Sequence, residues 1–124
     1  MGENKKPYYL VTDTVTYADK AGVVTVGEIP AQTLVMSSCI VVSTLWAGIS
    51  PTLDLGDEDD ADEFVANADV TETTANAYFG ASTDSFEGAW YPDAKRIYLT
   101  IAGTSLTAGV AFGVLQCLDL SEYV

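Results

Sequence analysis

The alternation of apolar and polar residues is of the β type along most of this chain. Runs rich in Val, Thr, Ile and Tyr recur about every 10–15 residues, between clusters of Gly, Pro, Asp and Ser. Eight strands are predicted from these runs, at 8–17, 23–26, 33–46, 52–55, 75–80, 86–91, 96–102 and 109–120. This spacing favours an all-β fold, an antiparallel β-sandwich of the jelly-roll-like kind.

Two turn signals set the predicted pairing of the strands. The segment 48–51 (Gly-Ile-Ser-Pro) predicts a hairpin turn, after which strand 52–55 would return antiparallel to 33–46. The segment 103–105 (Gly-Thr-Ser) predicts a second turn, ahead of the closing strand 109–120.

Residues 60–67 carry the single predicted helix, which has one or two turns. Asp60 or Asp62 would cap it, because carboxylates stabilise the positive end of a helix. Residues 1–7 are expected to form a flexible arm. Residues 8–124 are expected to form one domain, long enough to bury a core without a metal or a disulfide.

The charge balance narrows the range of partners. The chain has 18 acidic and 5 basic residues, which give a net charge of −13. Such a surface repels phosphate backbones and anionic lipids, so neither nucleic acid nor a membrane is an expected partner. The uncharged stretch 29–53 is too rich in Ser, Thr and Gln for a membrane span. With no secretory signal visible at residues 1–11, we expect synthesis and folding in a reducing cytoplasm.

The side-chain chemistry excludes most catalytic schemes. The chain has no histidine, which removes His-based acid–base catalysis, His-activated nucleophiles and nearly all zinc sites. No pair of carboxylates stands out as a glycosidase pair. We therefore expect no enzymatic activity and no cofactor. Cys39 and Cys117 lie in apolar runs and are expected to be buried thiols rather than a disulfide.

Seven carboxylates lie in the ten residues from Asp54 to Glu63. Asp57, Asp59 and Asp62 could offer oxygen ligands to Ca²⁺, although their spacing is not that of an EF-hand. Runs of acidic residues are usually solvated, so a rim loop in water is the interpretation that we favour over a metal site.

The aromatic residues near turns and strand ends allow two interpretations. Aromatic rings beside carboxylates bind sugars, which would require Trp46 or Trp90 to be exposed next to acidic side chains. Alternatively, the rings fill the ends of the sandwich or line a contact between subunits, where Trp and Tyr are enriched. Quenching of tryptophan fluorescence distinguishes the two.

Five short motifs follow one another along the chain. They are an I-P-A strand start, a β-branched strand, a short strand ending in a G-D acidic loop, a strand that reads T-T-A-N-A-Y and a final T-A-G strand. In this sequence they occupy 29–31, 40–45, 54–57, 73–78 and 107–110. This order resembles a family of small β-sandwich structural proteins of tailed bacteriophage virions, over roughly residues 28–120.

The resemblance implies a non-enzymatic virion protein, most like a capsid decoration (cement) protein. Such a protein binds the outer surface of a phage head and stabilises it. The implied partners are the major capsid protein and further copies of the chain in a homotrimer. A receptor- or carbohydrate-binding module of a tail fibre and a head–tail joining protein are the alternatives.

Capsid or subunit contacts are predicted at the N-terminal arm and in the closing strand. The residues concerned are Lys5, Lys6, Tyr8 and Tyr9 in the first region, and Val110 and Phe112 in the second. The arm is locally basic on an acidic body and could anchor on a neighbouring capsomer or copy. The closing strand is apolar where similar proteins tend to carry charges, so we infer that a subunit interface buries it.

Overall fold

The computed structural model of this chain describes residues 6–19, 21–80 and 88–124. These residues form seven antiparallel strands in one sheet. The strands are β1 (Tyr8–Val11), β2 (Val15–Thr16), β3 (Gly22–Ile29), β4 (Thr33–Asp57), β5 (Asn76–Phe79), β6 (Ala89–Tyr91) and β7 (Lys95–Asp119). Three single 3₁₀ turns lie at Tyr17–Asp19, Asn67–Asp69 and Ser121–Tyr123.

The sheet is built on two long strands, β4 and β7, of 25 residues each. They pair from Thr33 opposite Asp119 to Asp57 opposite Ile97. Three short strands, β1, β2 and β3, lie along the other edge of β7, and β5 and β6 lie along the other edge of β4. The fold is therefore a long two-stranded ribbon with short strands on both sides.

The ribbon bends back on itself. Gly113 pairs with Ile40 and Leu55 pairs with Leu99, positions that would lie about 50 Å apart on a straight ribbon. Yet a methyl group at Gly113 would lie 2.9 Å from the Leu55 methyl carbons. The two halves of the ribbon thus face each other as the layers of a β-sandwich, and the all-β prediction is confirmed.

We name the two layers and the bend between them as follows. Layer 1 contains residues 33–44 of β4, residues 110–119 of β7, and β1, β2, β5 and β6. Layer 2 contains residues 52–57 of β4, residues 95–102 of β7, and β3. The corner contains residues 45–51 and 103–109, where the pairing of β4 with β7 is repeatedly shifted.

The two turns predicted inside these strands are wrong. Segments 48–51 and 103–105 both lie at the corner, and each long strand passes through it without reversing. Bulges and left-handed residues absorb the bend. The corner residues with positive φ are Gly48, Ser50, Gly103, Ser105 and Gly109.

Trp46 fills the inside of the corner and is fully buried. Gly109 lies against its ring with a φ of +142°, so any larger residue would be strained and would also collide with the indole. The backbone N–H of Trp46 donates to the Glu72 carbonyl at 2.9 Å, and the N–H of Leu53 donates to the Glu72 carboxylate at 3.0 Å. Glu72 therefore hydrogen-bonds to β4 both near the start of the corner, at Trp46, and just after it, at Leu53.

The inner faces of the two layers share one apolar core. The alternation predicted over 96–102 is confirmed, because Ile97, Leu99 and Ile101 are all buried. Phe64 and Val65, from the segment that follows β4, are buried in the same core.

The helix predicted near 60–67 is wrong. Phe64 and Val65 both donate to the Leu55 carbonyl, so this segment runs beside β4 as an extended bridge. Backbone N–H groups of the preceding loop donate to the carboxylates of Asp57 and Asp60, and these hydrogen bonds compete with helical bonding. The adjacent burial of Phe64 and Val65 also does not fit the spacing of one helix face.

Candidate interaction surface and acidic loop

Asp57, the last residue of β4, organises the acidic loop from inside. Its side chain is buried, and one carboxylate oxygen accepts hydrogen bonds from the backbone N–H groups of Asp59 and Asp60, both at 2.9 Å. Gly56 allows the loop to turn back, because a side chain there would collide with the Asp60 carbonyl. The geometry makes this loop a structural turn.

The second Asp57 oxygen joins the two layers at the end opposite the corner. Tyr91, on β6 of layer 1, donates its hydroxyl to it at 2.6 Å, and both groups are buried. Burial and this carboxylate raise the pKa of Tyr91, so the phenol keeps its proton. The Phe64 ring lies beside Tyr91, with 6.2 Å between ring centroids. The two layers are thus joined at one end by the continuous strands of the corner and at the other by the Tyr91–Asp57 hydrogen bond.

The three acids considered as calcium ligands make different contacts and do not form a cluster around one point. Asp57 is committed as just described, and Asp59 forms an exposed ion pair with Lys95 at 2.7 Å. The N–H of Asp62 donates to the Asp60 carboxylate at 3.2 Å. Among residues 6–19, 21–80 and 88–124, no group of three or more Cys, Asp or Glu side chains is placed to hold a metal ion.

Two glutamates, Glu72 and Glu63, have raised pKa values. Burial raises the pKa of Glu72, the carboxylate that fastens the corner. Burial also raises the pKa of Glu63, and the neighbouring charges of Asp57, Asp60 and Asp62 add to the effect.

The two tryptophans have different environments. Trp46 is completely buried in the corner, whereas 43% of the Trp90 surface is exposed. Trp90 is paired with Leu34, which is paired in turn with Leu118. Residues directly opposite one another share a face of the sheet, so the ring of Trp90 lies on the outer side of layer 1 among aliphatic side chains.

The outer side of layer 1 is apolar over four neighbouring strands. Alternation along β7 places Ala111 and Leu115 in the core and their neighbours outside. Cross-strand pairing then extends each outward position into a row. The outward apolar residues, which we call the apolar face, are Tyr9, Val11, Leu34, Val41, Phe79, Trp90, Val110, Phe112, Val114 and Leu118.

Several of these side chains extend into water. Tyr9 is 65% exposed, Val11 60% and Phe79 63%, while Phe112 and Val114 between them are half-buried by their neighbours. The polar positions that interrupt the rows, such as Ser37 and Gln116, are uncharged and hydrogen-bond to each other at 3.0 Å.

The outer side of layer 2 carries charges instead. Asp54 lies there opposite Thr100 and accepts three hydrogen bonds from Asn67, and Glu28 lies opposite Arg96. Its single strongly exposed apolar residue is Val23, at 63%. Charged groups are therefore present on one outer face and absent from the other, among the residues that the structure describes.

The predicted contact residues have different positions. Tyr9, Val110 and Phe112 all belong to the apolar face. Tyr8 points the other way and packs against the core, and Lys6 is exposed ahead of β1. Lys5 lies outside the described residues, as does the start of the predicted strand 86–91.

Sequence reasoning missed most of the apolar face. The unusual apolarity of the closing strand singled out Val110 and Phe112, but the residues beside them on this face, such as Val41 and Val11, come from other strands. Only the register between strands brings those residues together. The available signal was the sequence of residues 110–118, in which apolar residues occur at both the odd and the even positions, so that both faces of the strand are apolar.

Both cysteines are buried free thiols, as predicted. Cys117 lies in the core opposite Val35, whereas Cys39 lies opposite Val114 on the outer side of the same layer. Burial raises the pKa of Cys117 to about 11. No helix in the described part of the chain is long and apolar enough to cross a membrane.

Neither a family model nor a curated protein sequence matches the chain. Three solved structures contain chains of the same fold. A chain from the acidic stable capsid of Helicobacter pylori bacteriophage KHP30 has a TM-score of 0.67 and 11% identity, over 93% of this chain and 93% of that one. A chain from the capsid of Ralstonia phage GP4 has a TM-score of 0.68 and 16% identity, over 96% and 88%. A chain from the cyanophage Pam1 capsid asymmetric unit has a TM-score of 0.65 and 13% identity, over 95% and 89%.

These likenesses extend over nearly the whole chain at low identity. They confirm, at the level of the fold, the predicted resemblance to β-sandwich structural proteins of phage virions.

Proposed function

We propose that this protein is a capsid decoration (cement) protein. It binds the outer surface of a phage head, contacts the major capsid protein and stabilises the shell without catalysing a reaction. The observation that carries this proposal is a fold that recurs in three phage capsids, combined here with segregated outer faces, one apolar and one charged.

The charge of the chain supports a position outside the shell. A net charge of −13 repels packaged DNA, so a protein of this kind is disfavoured on the inner surface of a filled head. It also favours solubility before assembly in the host cytoplasm.

The N-terminal arm is the proposed anchor on the capsid. Lys6 is exposed, and β1 behind it is held by Tyr8, whose ring packs against the core. The arm therefore leaves the sandwich from a fixed root, beside the apolar face that Tyr9 joins. Lys5 and Lys6 would supply local positive charge on a protein whose net charge is −13.

Removal of residues 1–7 tests the anchor. We expect weaker binding to heads and an unchanged thermal midpoint, because these residues precede the first strand. A Lys5→Gln, Lys6→Gln double variant separates the contribution of charge from that of the backbone. Unchanged occupancy on heads after truncation would contradict the role of the arm.

Purified heads of the parent phage, assembled without this protein, provide the direct test of function. We expect saturable co-sedimentation in many copies per head and a higher temperature of head rupture. A single ring of copies at one vertex would indicate a head–tail joining protein. Absence of head binding, together with binding to a glycan array, would indicate a fibre module.

The homotrimer implied by the sequence resemblance stays a prediction. Light scattering on the purified chain measures the mass directly, as a multiple of the 13.2 kDa of one copy.

A further inference from the structure

We propose that the apolar face is a docking surface for the same face of a second copy of this chain. Two copies would pack with their layer 1 sheets face to face, around a two-fold axis. This inference goes beyond capsid binding and does not depend on it.

The first argument is the uniform chemistry of the surface. Leu34, Val41, Phe112, Val114 and Leu118 present partly exposed aliphatic and aromatic groups along the two central strands. Tyr9, Val11, Phe79 and Trp90 extend the surface onto the flanking strands. Sheets with apolar faces pack against each other about 10 Å apart, so this face suits a second sheet of the same kind.

The second argument is the distribution of charge. Two chains of net charge −13 repel each other, and the charged outer face of layer 2 makes contact there unfavourable. In the face-to-face arrangement the two charged faces lie on the outside, separated by about three sheet spacings, or about 30 Å. The Debye length is about 8 Å at physiological ionic strength, so repulsion across the pair is largely screened.

The third argument is the area available. From Val110 to Leu118 the face is about 27 Å long, and four neighbouring strands make it about 19 Å wide. Its footprint is about 500 Å² per copy, or about 1,000 Å² for the pair, which is the lower limit for a specific interface. The expected complex is therefore reversible and depends on concentration.

The geometry predicts a dimer rather than the trimer that the sequence resemblance implies. A face that packs against the same face of a second copy makes an isologous contact, which closes with two copies. A trimer requires a contact between two different patches of each copy. Light scattering and sedimentation equilibrium, run up to about 1 mM protein, distinguish the two masses.

Two exposed positions allow the face to be disrupted without touching the core. Val11→Lys and Phe79→Lys place a charge at side chains that are 60% and 63% exposed. The control is Val23→Lys on the outer face of layer 2, which is 63% exposed, lies on a flanking strand and changes the net charge equally. We expect the first two variants to weaken dimerisation at least about tenfold and the control less than about twofold.

Two further readouts tie the association to this face. Dimerisation should be weaker in low salt and should strengthen as NaCl is raised to physiological ionic strength, because salt screens the repulsion while leaving an apolar contact intact. Acrylamide quenching of Trp90 should fall as protein concentration rises, with a Trp90→Phe variant supplying the constant signal of buried Trp46.

A chain that is monomeric up to about 1 mM overturns the inference, as does a trimer. Equal weakening by Val11→Lys and Val23→Lys, or association that weakens with salt, also overturns it. Head binding by the native chain, measured separately, is unaffected by these outcomes, so failure of the dimer and failure of the proposed function are distinguishable.

Discussion

The outer faces of the two layers differ far more than their inner faces do. Both inner faces are built from Val, Ile and Leu at alternating positions and share one core. Outside, layer 1 presents uncharged apolar rows, whereas layer 2 presents Asp54, Glu28 and Arg96. The inner pattern specifies the sandwich, and the difference between the outer faces is the basis of the proposed docking surface. The predictions below challenge that division, beginning with the joints that hold the layers together.

The corner should be the most sensitive point. Gly109→Ala adds a methyl group that collides with Trp46 at a residue with positive φ, so we expect a loss of at least about 4 kcal/mol or failure to fold. Urea unfolding measures the effect. Gly22→Ala is the control, since its φ is also positive but nothing lies within 4 Å; it should cost about 1 kcal/mol. Equal losses in the two variants would mean that contact with the indole is unimportant.

The joint at the other end should be the next most sensitive. Asp57→Ala leaves two backbone N–H groups and the Tyr91 hydroxyl without their acceptor, and we expect a loss of about 3 kcal/mol in the free energy of unfolding. Asp59→Ala removes only an exposed ion pair with Lys95 and should cost less than about 1 kcal/mol. If both aspartates cost the same, the acidic loop is held by its surface charges and not by Asp57.

Acid should stabilise the corner through Glu72. Because burial raises its pKa in the folded state, this stabilising contribution is fully present below the unfolded pKa and is lost as pH rises through the folded pKa. Glu72→Gln keeps an acceptor for the Leu53 N–H without a buried charge, so we expect it to gain about 1 kcal/mol at neutral pH. Its thermal midpoint should also fall less than that of the native chain as the pH rises above the ordinary glutamate pKa of 4.5. An identical pH response in both proteins would rule out this role for Glu72.

The smallest effects on stability are expected at the outer faces. Val11→Lys in layer 1 and Val23→Lys in layer 2 each change a side chain that is more than half exposed, so each should alter the free energy of unfolding by less than about 0.5 kcal/mol. Thermal unfolding at low protein concentration tests this without the influence of self-association. A large loss in only one variant would show that its face also supports the monomer fold.

Much of the fold could be predicted from the sequence because inward positions repeat with period two. Ile97, Leu99 and Ile101 were identified in this way, and their burial follows the predicted alternation. The corner could not be predicted, since Gly, Ser and Pro residues at 48–51 and 103–105 indicate a reversal and a sharp bend equally well. Only the pairing across the bend, which is not local information, distinguishes them.

The interaction surface was predictable only in part. Val110 and Phe112 were identified from the unusual apolarity of one strand, whereas Trp90 and Phe79 join them through the register of β5 and β6 against β4. The acidic loop suggested a helix, and the role of Asp57 depends on Tyr91, 34 residues further along the chain. Contacts between residues so distant in sequence are set by topology rather than by local composition.

Binding of the purified chain to heads of the parent phage that were assembled without it shows most directly whether this protein decorates capsids. We expect saturable binding in many copies over the outer surface, with heads that rupture at a higher temperature when decorated. Sedimentation with heads no greater than that of an unrelated protein of similar size and charge, with no change in rupture temperature, would contradict it.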